Sequence, residues 1–265
     1  MVAVVACEPP AQLTLSDNSG SAGSFLAGVW RLLDRLDCRR ADTTAERDAI
    51  FRLRYRAYLR ESAILPNSSK SFSDRYDDMD NVYLFGLYVD GALASSIRIQ
   101  IVTGEHPYSP SLDAFSDVLQ PELDAGKVVV DSSRFVTDER LSRSYRGLPY
   151  VTTRLSYLAG LYFNADHFLA AVRSEHQAFY RRTYQHRSIC EPRPYPQLTK
   201  PLCLMTTHCA SVANAVQSKY PFFRSTFFER RMLFERTPAL AAHETTLAPD
   251  NCASFDERSA SRLAG

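Results

Sequence analysis

The chain predicts a single mixed α/β (α+β) domain, a mixed central sheet flanked by helices, on three observations. Two apolar runs, VYLFGLYV and ALASSIRIQIV, meet at Asp90-Gly91, the signature of a tight β-hairpin. Two segments, one after Thr43 and one over 147–165, repeat apolar residues at helical spacing. Short strand-like runs, KVVVDSSRFV (127–136), HFLAAV (167–172) and PLCLMTTHC (201–209), alternate with helical ones, and no internal repeat is visible.

In chain order, residues 1–22 are small and polar and are expected to form a tail. FLAGVWRLLDRL then places Leu26, Val29, Trp30, Leu33 and Leu36 on one helix face. Packing on the domain is its simplest role; a lid over an acyl site or a membrane-surface contact are the others. Thr43 and Glu46 form a capping box at the start of the next helix. Its stripe is Phe51, Tyr55, Tyr58 and Leu59, and Arg54 stands inside it, so this guanidinium needs a partner or a ligand. A polar loop, PNSSKSFSDRYDDMD, precedes the hairpin, whose second strand carries Arg98. Residues 103–126, with Pro107, Pro110 and Pro121, are expected to be a loop holding a short helix.

The strand 127–136 has three valines and a closing Phe-Val, as a buried strand would, yet carries Asp131 and Arg134 in its middle. Residues three apart on a regular strand face opposite ways, so the two cannot pair unless a bulge re-aims one of them. A helix follows over 147–165 with Val151, Leu155, Leu158 and Tyr162 in register, then HFLAAV, a helix over SEHQAFYRRTYQ, and PLCLMTTHC. KYPFFRSTFFERRMLFE belongs near the core, so the domain is expected over 23–237, and 238–265 reads as a second loose tail.

The totals exclude several classes. A net charge of +1 gives no electrostatic case for nucleic acid. Only Lys70, Lys127, Lys200 and Lys219 are lysines, so the positive charge is arginine, which suits carboxylate or phosphate recognition. The six cysteines form no CxxC pair, and Cys203-x5-Cys209 does not fit zinc spacing; they read as thiols of a reducing compartment, and no metal is expected. Neither a signal peptide nor a membrane span is visible, so the expected location is cytoplasmic. DRYDDMD lacks the Gly and terminal Glu of an EF-hand; by spacing alone it is a solvated acidic loop.

Four pieces in order carry a resemblance: Arg54-Tyr-Arg-Ala-Tyr58, Asp74-Arg-Tyr-Asp77, Arg98, and Asp131-Ser132-Ser133-Arg134-Phe135. Together they resemble the acyl-homoserine-lactone synthases, and more closely the N-acyl amino acid synthases (FeeM type), both of the GCN5-related acyltransferase fold. The match covers roughly 44–136. It departs from the signal-synthase pattern in two places: the only Trp is Trp30, and the strand acid is Asp131 rather than Glu. Both departures favour an amino acid acceptor over S-adenosylmethionine. The resemblance implies transfer of a long-chain acyl group from an acyl-phosphopantetheine thioester, with no bound cofactor. The Arg/Gln-x-x-Gly-x-Gly/Ala diphosphate loop of coenzyme-A-dependent members is poorly matched by SYRGLP, which points to acyl carrier protein as donor.

For the site, the resemblance implies Asp131 as proton acceptor for the α-amine, or alternatively a structural partner of Arg134. Tyr180 is the candidate that protonates the leaving thiolate, or a ring packed in the core. A bulge near Ser132-Ser133 would free a backbone donor for the oxyanion. Arg54 and Arg98 would take the acceptor carboxylate, or Asp74 and Asp77 would hold those arginines in place. Tyr58, Ser132, Ser133, Arg134 and Phe135 complete the substrate site. An acidic carrier protein would dock on Arg140, Arg143 and Arg146, or on Arg181, Arg182 and Arg187. The rivals are a lactone synthase using S-adenosylmethionine, a coenzyme-A-dependent N-acetyltransferase, and a non-catalytic module that binds acyl chains or carrier protein.

Overall fold

The structure is a computed structural model describing residues 18–236. The expected tail 238–265, and residues 1–17 of the other, lie outside the described residues. The first helix, α1 (Asn18–Leu33), begins inside the stretch expected as a tail and ends before Leu36. Leu36 instead opens β1 (Leu36–Arg40), a strand too short and charged to show in the sequence, which pairs antiparallel with β2 (Val82–Val89).

Helix α2 (Thr44–Arg60) starts where the capping box places it: the Glu46 N–H donates to Thr43 Oγ1 at 3.3 Å, and the Thr43 N–H to Glu46 Oε2 at 3.1 Å. Its buried residues are Ile50, Leu53, Arg54, Tyr55, Ala57 and Tyr58; of the expected stripe Tyr55 and Tyr58 are buried and Phe51 and Leu59 half-buried, and Arg54 lies among them. The polar loop contains a 3₁₀ turn, Arg75–Asp78. β2 and β3 (Ala92–Val102) form the hairpin, with Asp90 and Gly91 at φ 50° and 81°, a left-handed pair that suits the strand twist. The stretch 103–126 holds two helices, α3 (Pro110–Ala114) and α4 (Ser116–Asp124), not one; Ser109 caps α3 and Pro110 takes its first position.

Then come β4 (Val129–Thr137), α5 (Glu139–Ser144), α6 (Leu148–Tyr162) and β5 (His167–Val172). Gly147 precedes α6 because a Cβ there would lie 2.8 Å from Val29 Cγ2, so glycine is what lets α1 pack against α6. A 3₁₀ turn (Ser174–His176) leads into α7 (Gln177–Tyr184), followed by β6 (Arg187–Ser188), β7 (Cys203–His208), α8 (Cys209–Lys219) and α9 (Phe227–Phe234). The expected aromatic segment contributes Phe222, Phe223 and Phe234 to the core but exposes Phe227 and Phe228.

Among the described residues the sheet has seven strands in the order β1-β2-β3-β4-β5-β7-β6, antiparallel except for β4–β5. One face packs on α1, α6, α7, α8 and α9 through Ile97, Ile99, Val130, Phe135, Phe168 and Ala170. The other packs on α2, α3 and α4 through Val102, Val129, Val136, Leu169 and Ala171. The parallel pairing of β4 with β5 ends at Ser132↔Ala170, so from Ser133 onward the β5-facing edge of β4 has no strand partner. This mixed α/β architecture, a central sheet flanked by helices, is the predicted fold class; the sequence does not predict the split between β4 and β5.

Candidate active site

The irregularity expected in β4 exists, but two residues later than expected. Ser96 pairs with Val136 and Arg98 with Ser133, so Ile97 alone opposes both Arg134 and Phe135. Arg134 carries the bulge at φ 55°, a left-handed conformation costing an arginine about 1–2 kcal/mol. Its effect is directional. Val129, Asp131 and Ser133 face α2, and strict alternation would turn Arg134 to the opposite side. The extra residue sends Phe135 to the α6 face instead, and Arg134 joins Asp131 and Ser133.

On that face lies a buried ionic cluster. Arg54 Nη1 donates to both carboxylate oxygens of Asp77 at 2.9 Å. Arg98 reaches from β3 to Asp74, to Asp77 at 3.1 Å, and through Nε to Ser133 Oγ at 2.9 Å. Arg134 donates to Asp74 through Nε at 2.9 Å and Nη2 at 2.6 Å, and to the Pro196 carbonyl at 3.4 Å. Asp74 and Asp77 also cap the 3₁₀ turn, with the Tyr76 N–H donating to Asp74 at 3.0 Å and the Asp74 N–H to Asp77 at 2.9 Å. This overturns the solvated-loop reading: Asp74 and Asp77 are buried and hold the three arginines. The rings of Tyr58 and Phe72 wall the cluster, and the Arg134 guanidinium lies 4.9 Å from the Phe72 centroid.

Burial alone would raise the two carboxyls, but Arg98 and Arg134 overcome it at Asp74, and Arg54 and Arg98 at Asp77, leaving both below the usual carboxylate range. Burial would likewise lower Arg98 and Arg134; Asp77 and Asp74 reverse this at Arg98, and Tyr58 and Asp74 at Arg134, so both stay charged. Burial lowers Arg54 from its ordinary value, yet a guanidinium stays charged, so the cluster holds three cations against two anions. The surplus shows in its hydrogen bonds: Arg54 Nε and Nη2, Arg98 Nη2 and Arg134 Nη1 are buried donors with no acceptor among the described residues. Leaving such donors unmatched is costly, which favours an anionic guest.

Asp131 supplies the opposite imbalance. It is fully buried one strand repeat from Ser133, and among the described residues it makes no ion pair. It accepts from the Ser111 hydroxyl at 2.9 Å and the Ser111 N–H at 3.3 Å, and Ser111 Oγ lies 3.2 Å from the Tyr195 hydroxyl. The alternative pairing of Asp131 with Arg134 is thus absent; Arg134 is taken by Asp74. Ser111, Tyr195 and Pro196 escape sequence reasoning, since they come from a short helix and an irregular connection with no periodic signal.

The remaining candidates sort by face. Arg54, Tyr58, Asp74, Asp77, Arg98, Asp131, Ser133 and Arg134 converge; Ser132 and Phe135 point to the α6 side, away from the cluster. Tyr180 is also on that side, fully buried beside Phe179, Tyr184 and His186, and burial pushes its hydroxyl well above the ordinary tyrosine value. The two faces meet at the split between β4 and β5. Arg140, Arg143 and Arg146 are exposed at α5 and just beyond it, as are Arg181 and Arg182 on α7. No helix among the described residues is long and apolar enough to cross a membrane. No group of residues able to hold a metal occurs among them.

The model of the family described as N-acyl amino acid synthase FeeM matches residues 49–208, which encloses the cluster. No curated protein sequence matches. Among solved structures, the chain is similar to FeeM, an N-acyl amino acid synthase from uncultured soil microbes. The TM-score is 0.57 and the identity 19%, over 69% of this chain and 98% of that one. It is also similar to TofI (TM-score 0.51, 16% identity, covering 72% and 100%). A third is BjaI, a CoA-dependent acyl-homoserine lactone synthase (TM-score 0.50, 13% identity, covering 71% and 89%). At these identities the structural likeness establishes the fold.

Proposed function

Because the chain belongs to the N-acyl amino acid synthase FeeM family and is an N-acyltransferase, we propose that it moves a long-chain acyl group from an acyl carrier protein thioester to the α-amine of an amino acid. The observation that carries the acceptor is the paired imbalance: surplus guanidinium donors beside an acid with no cation of its own. An α-amino acid matches both, its carboxylate on Arg134 and its neighbours, its ammonium toward Asp131. This refines the sequence expectation for Arg54 and Arg98, whose Asp-directed donors are spent, and keeps their remaining donors for the guest.

The chemistry follows from that placement. An α-amine with a pKa of about 7.7–8.0 is roughly one-tenth neutral at pH 7, so Asp131 need only accept its proton as attack begins. The thioester lies in the split past Ser132, where the unpartnered main-chain edge of β4 offers N–H donors to the oxyanion. Tyr180, kept protonated by burial, gives its proton to the departing thiolate. The exposed arginines at α5 follow directly on β4 and suit an acidic carrier protein.

The test is mass spectrometry of a reaction holding purified protein, long-chain acyl carrier protein, the common amino acids and S-adenosylmethionine. An N-acyl amino acid is the expected product. A lactone, or a product only when acyl-coenzyme A replaces the carrier protein, refutes the acceptor or the donor respectively; no product from either donor refutes catalysis.

A further inference from the structure

The base proposed above does not hold its own position. Asp131 lies on a strand, but both of its bonds run to Ser111, the second residue of α3. A carboxylate accepts, so the Ser111 hydroxyl must donate to Asp131, and its oxygen is then free to accept from Tyr195. The three side chains form a one-way chain: Tyr195 Oη to Ser111 Oγ at 3.2 Å, Ser111 Oγ to Asp131 Oδ1 at 2.9 Å. Ser111 is fully buried and Tyr195 nearly so, which shields the chain from competing water.

Tyr195 arrives from outside the sheet. It lies on the connection between β6 and β7, which crosses the cluster and is tied down at several points. The Thr199 N–H donates to the Ala63 carbonyl at 3.1 Å beyond α2, Arg193 pairs with Asp117 of α4, and the Pro196 carbonyl accepts from Arg134. The segment that covers the acceptor site thus also completes the hydrogen bonding of its acid.

We propose that Ser111 and Tyr195 are positioning residues of the acyl transfer, holding the Asp131 carboxylate aimed at the acceptor amine. The proposal rests on the reading of Asp131 as the base. The charged and titratable groups around this chain are Arg98 from β3, Arg134 from β4, Tyr58 from α2 and Tyr195 itself. Arg98 and Arg134 stay charged, while burial and then Asp131 push the Tyr195 hydroxyl well above its ordinary value. None of them carries a negative charge that could take the amine's proton in place of Asp131.

For Ser111→Ala, kcat should fall roughly 10- to 100-fold while KM for the amino acid changes little, a split that a loss of folding alone would not give. Tyr195→Phe, which keeps the ring, should show the same signs at smaller size. Circular dichroism melts establish that each variant is folded; should Ser111→Ala not fold, Tyr195→Phe decides alone. If Asp131→Asn is inactive but the folded variants keep wild-type kcat, the positioning role is overturned. If Asp131→Asn retains wild-type turnover, the base reading fails first and takes this proposal with it.

Discussion

Asp74→Asn is the sharpest probe of the buried cluster. The carboxylate of Asp74 accepts from both Arg98 and Arg134, all three side chains being fully buried. The substitution keeps the shape and removes one of two anions, leaving three buried guanidiniums against Asp77 alone. Breaking a buried pair by removing one partner costs about 3–5 kcal/mol, because the surviving charge stays desolvated. For a domain of this size that corresponds to a fall in Tm of roughly 6–20 °C. Urea unfolding followed by circular dichroism measures it, with the exposed Arg143→Ala as control. Arg143 pairs with Glu139 at the surface, and its loss should leave the midpoint unchanged. Adding Arg134→Met to Asp74→Asn should destabilise less than the two single changes summed, since the orphaned cation goes with its partner. A loss below about 1 kcal/mol for Asp74→Asn, with the singles additive, would refute the reasoning that these charges hold one another.

Tyr180→Phe should cut kcat about 100-fold or more while the fold persists, if the hydroxyl protonates the thiolate; an unchanged kcat assigns Tyr180 to packing. Replacing Arg140, Arg143 and Arg146 together by Glu should raise KM for acyl carrier protein at low salt, leave KM for the amino acid alone, and lose its effect at high ionic strength; salt-independent kinetics would place docking elsewhere. The pH dependence of Tm has two parts. Burial lowers His186 to about 3, and burial with Arg173 lowers His176 to about 4. The unfolded chain therefore takes up protons near pH 6.5 that the native chain refuses, and stability falls as pH drops below it. Asp74 and Asp77 act lower down: their contribution is full above about pH 4 and is lost as pH falls through their depressed values. His186→Phe should flatten the Tm slope between pH 6.5 and 4, and an unchanged slope would contradict this.

The elements with a strong period or a turn signal were legible: α2 with its capping box, the Asp90-Gly91 hairpin, α6 and the apolar strands. Most of the site was legible too, because a guanidinium inside an apolar stripe or an acid in a valine strand is too costly to be idle. Its pairing was not. Spacing cannot reveal that one left-handed residue at Arg134 turns the strand, so the bulge was expected two residues early and a pairing of Arg134 with Asp131 stayed open as an alternative. Nor can it show that the Asp74–Asp77 loop folds inward, since its charges read as solvated until arginines from α2, β3 and β4 arrive to meet them. β1 carries too few apolar residues to announce a strand. Tyr195 and Ser111 belong to irregular segments, where side-chain placement is set by tertiary contacts alone.

The central claim is that the surplus guanidiniums receive the acceptor's carboxylate. The direct measurement is kcat/KM for the preferred amino acid against the amine that lacks only its carboxylate group. A site with buried charged donors should reject the decarboxylated amine by roughly 100-fold or more, because those donors are left unmatched. In Arg134→Met the discrimination should collapse. Equal turnover of acid and amine by the wild-type protein would contradict the account.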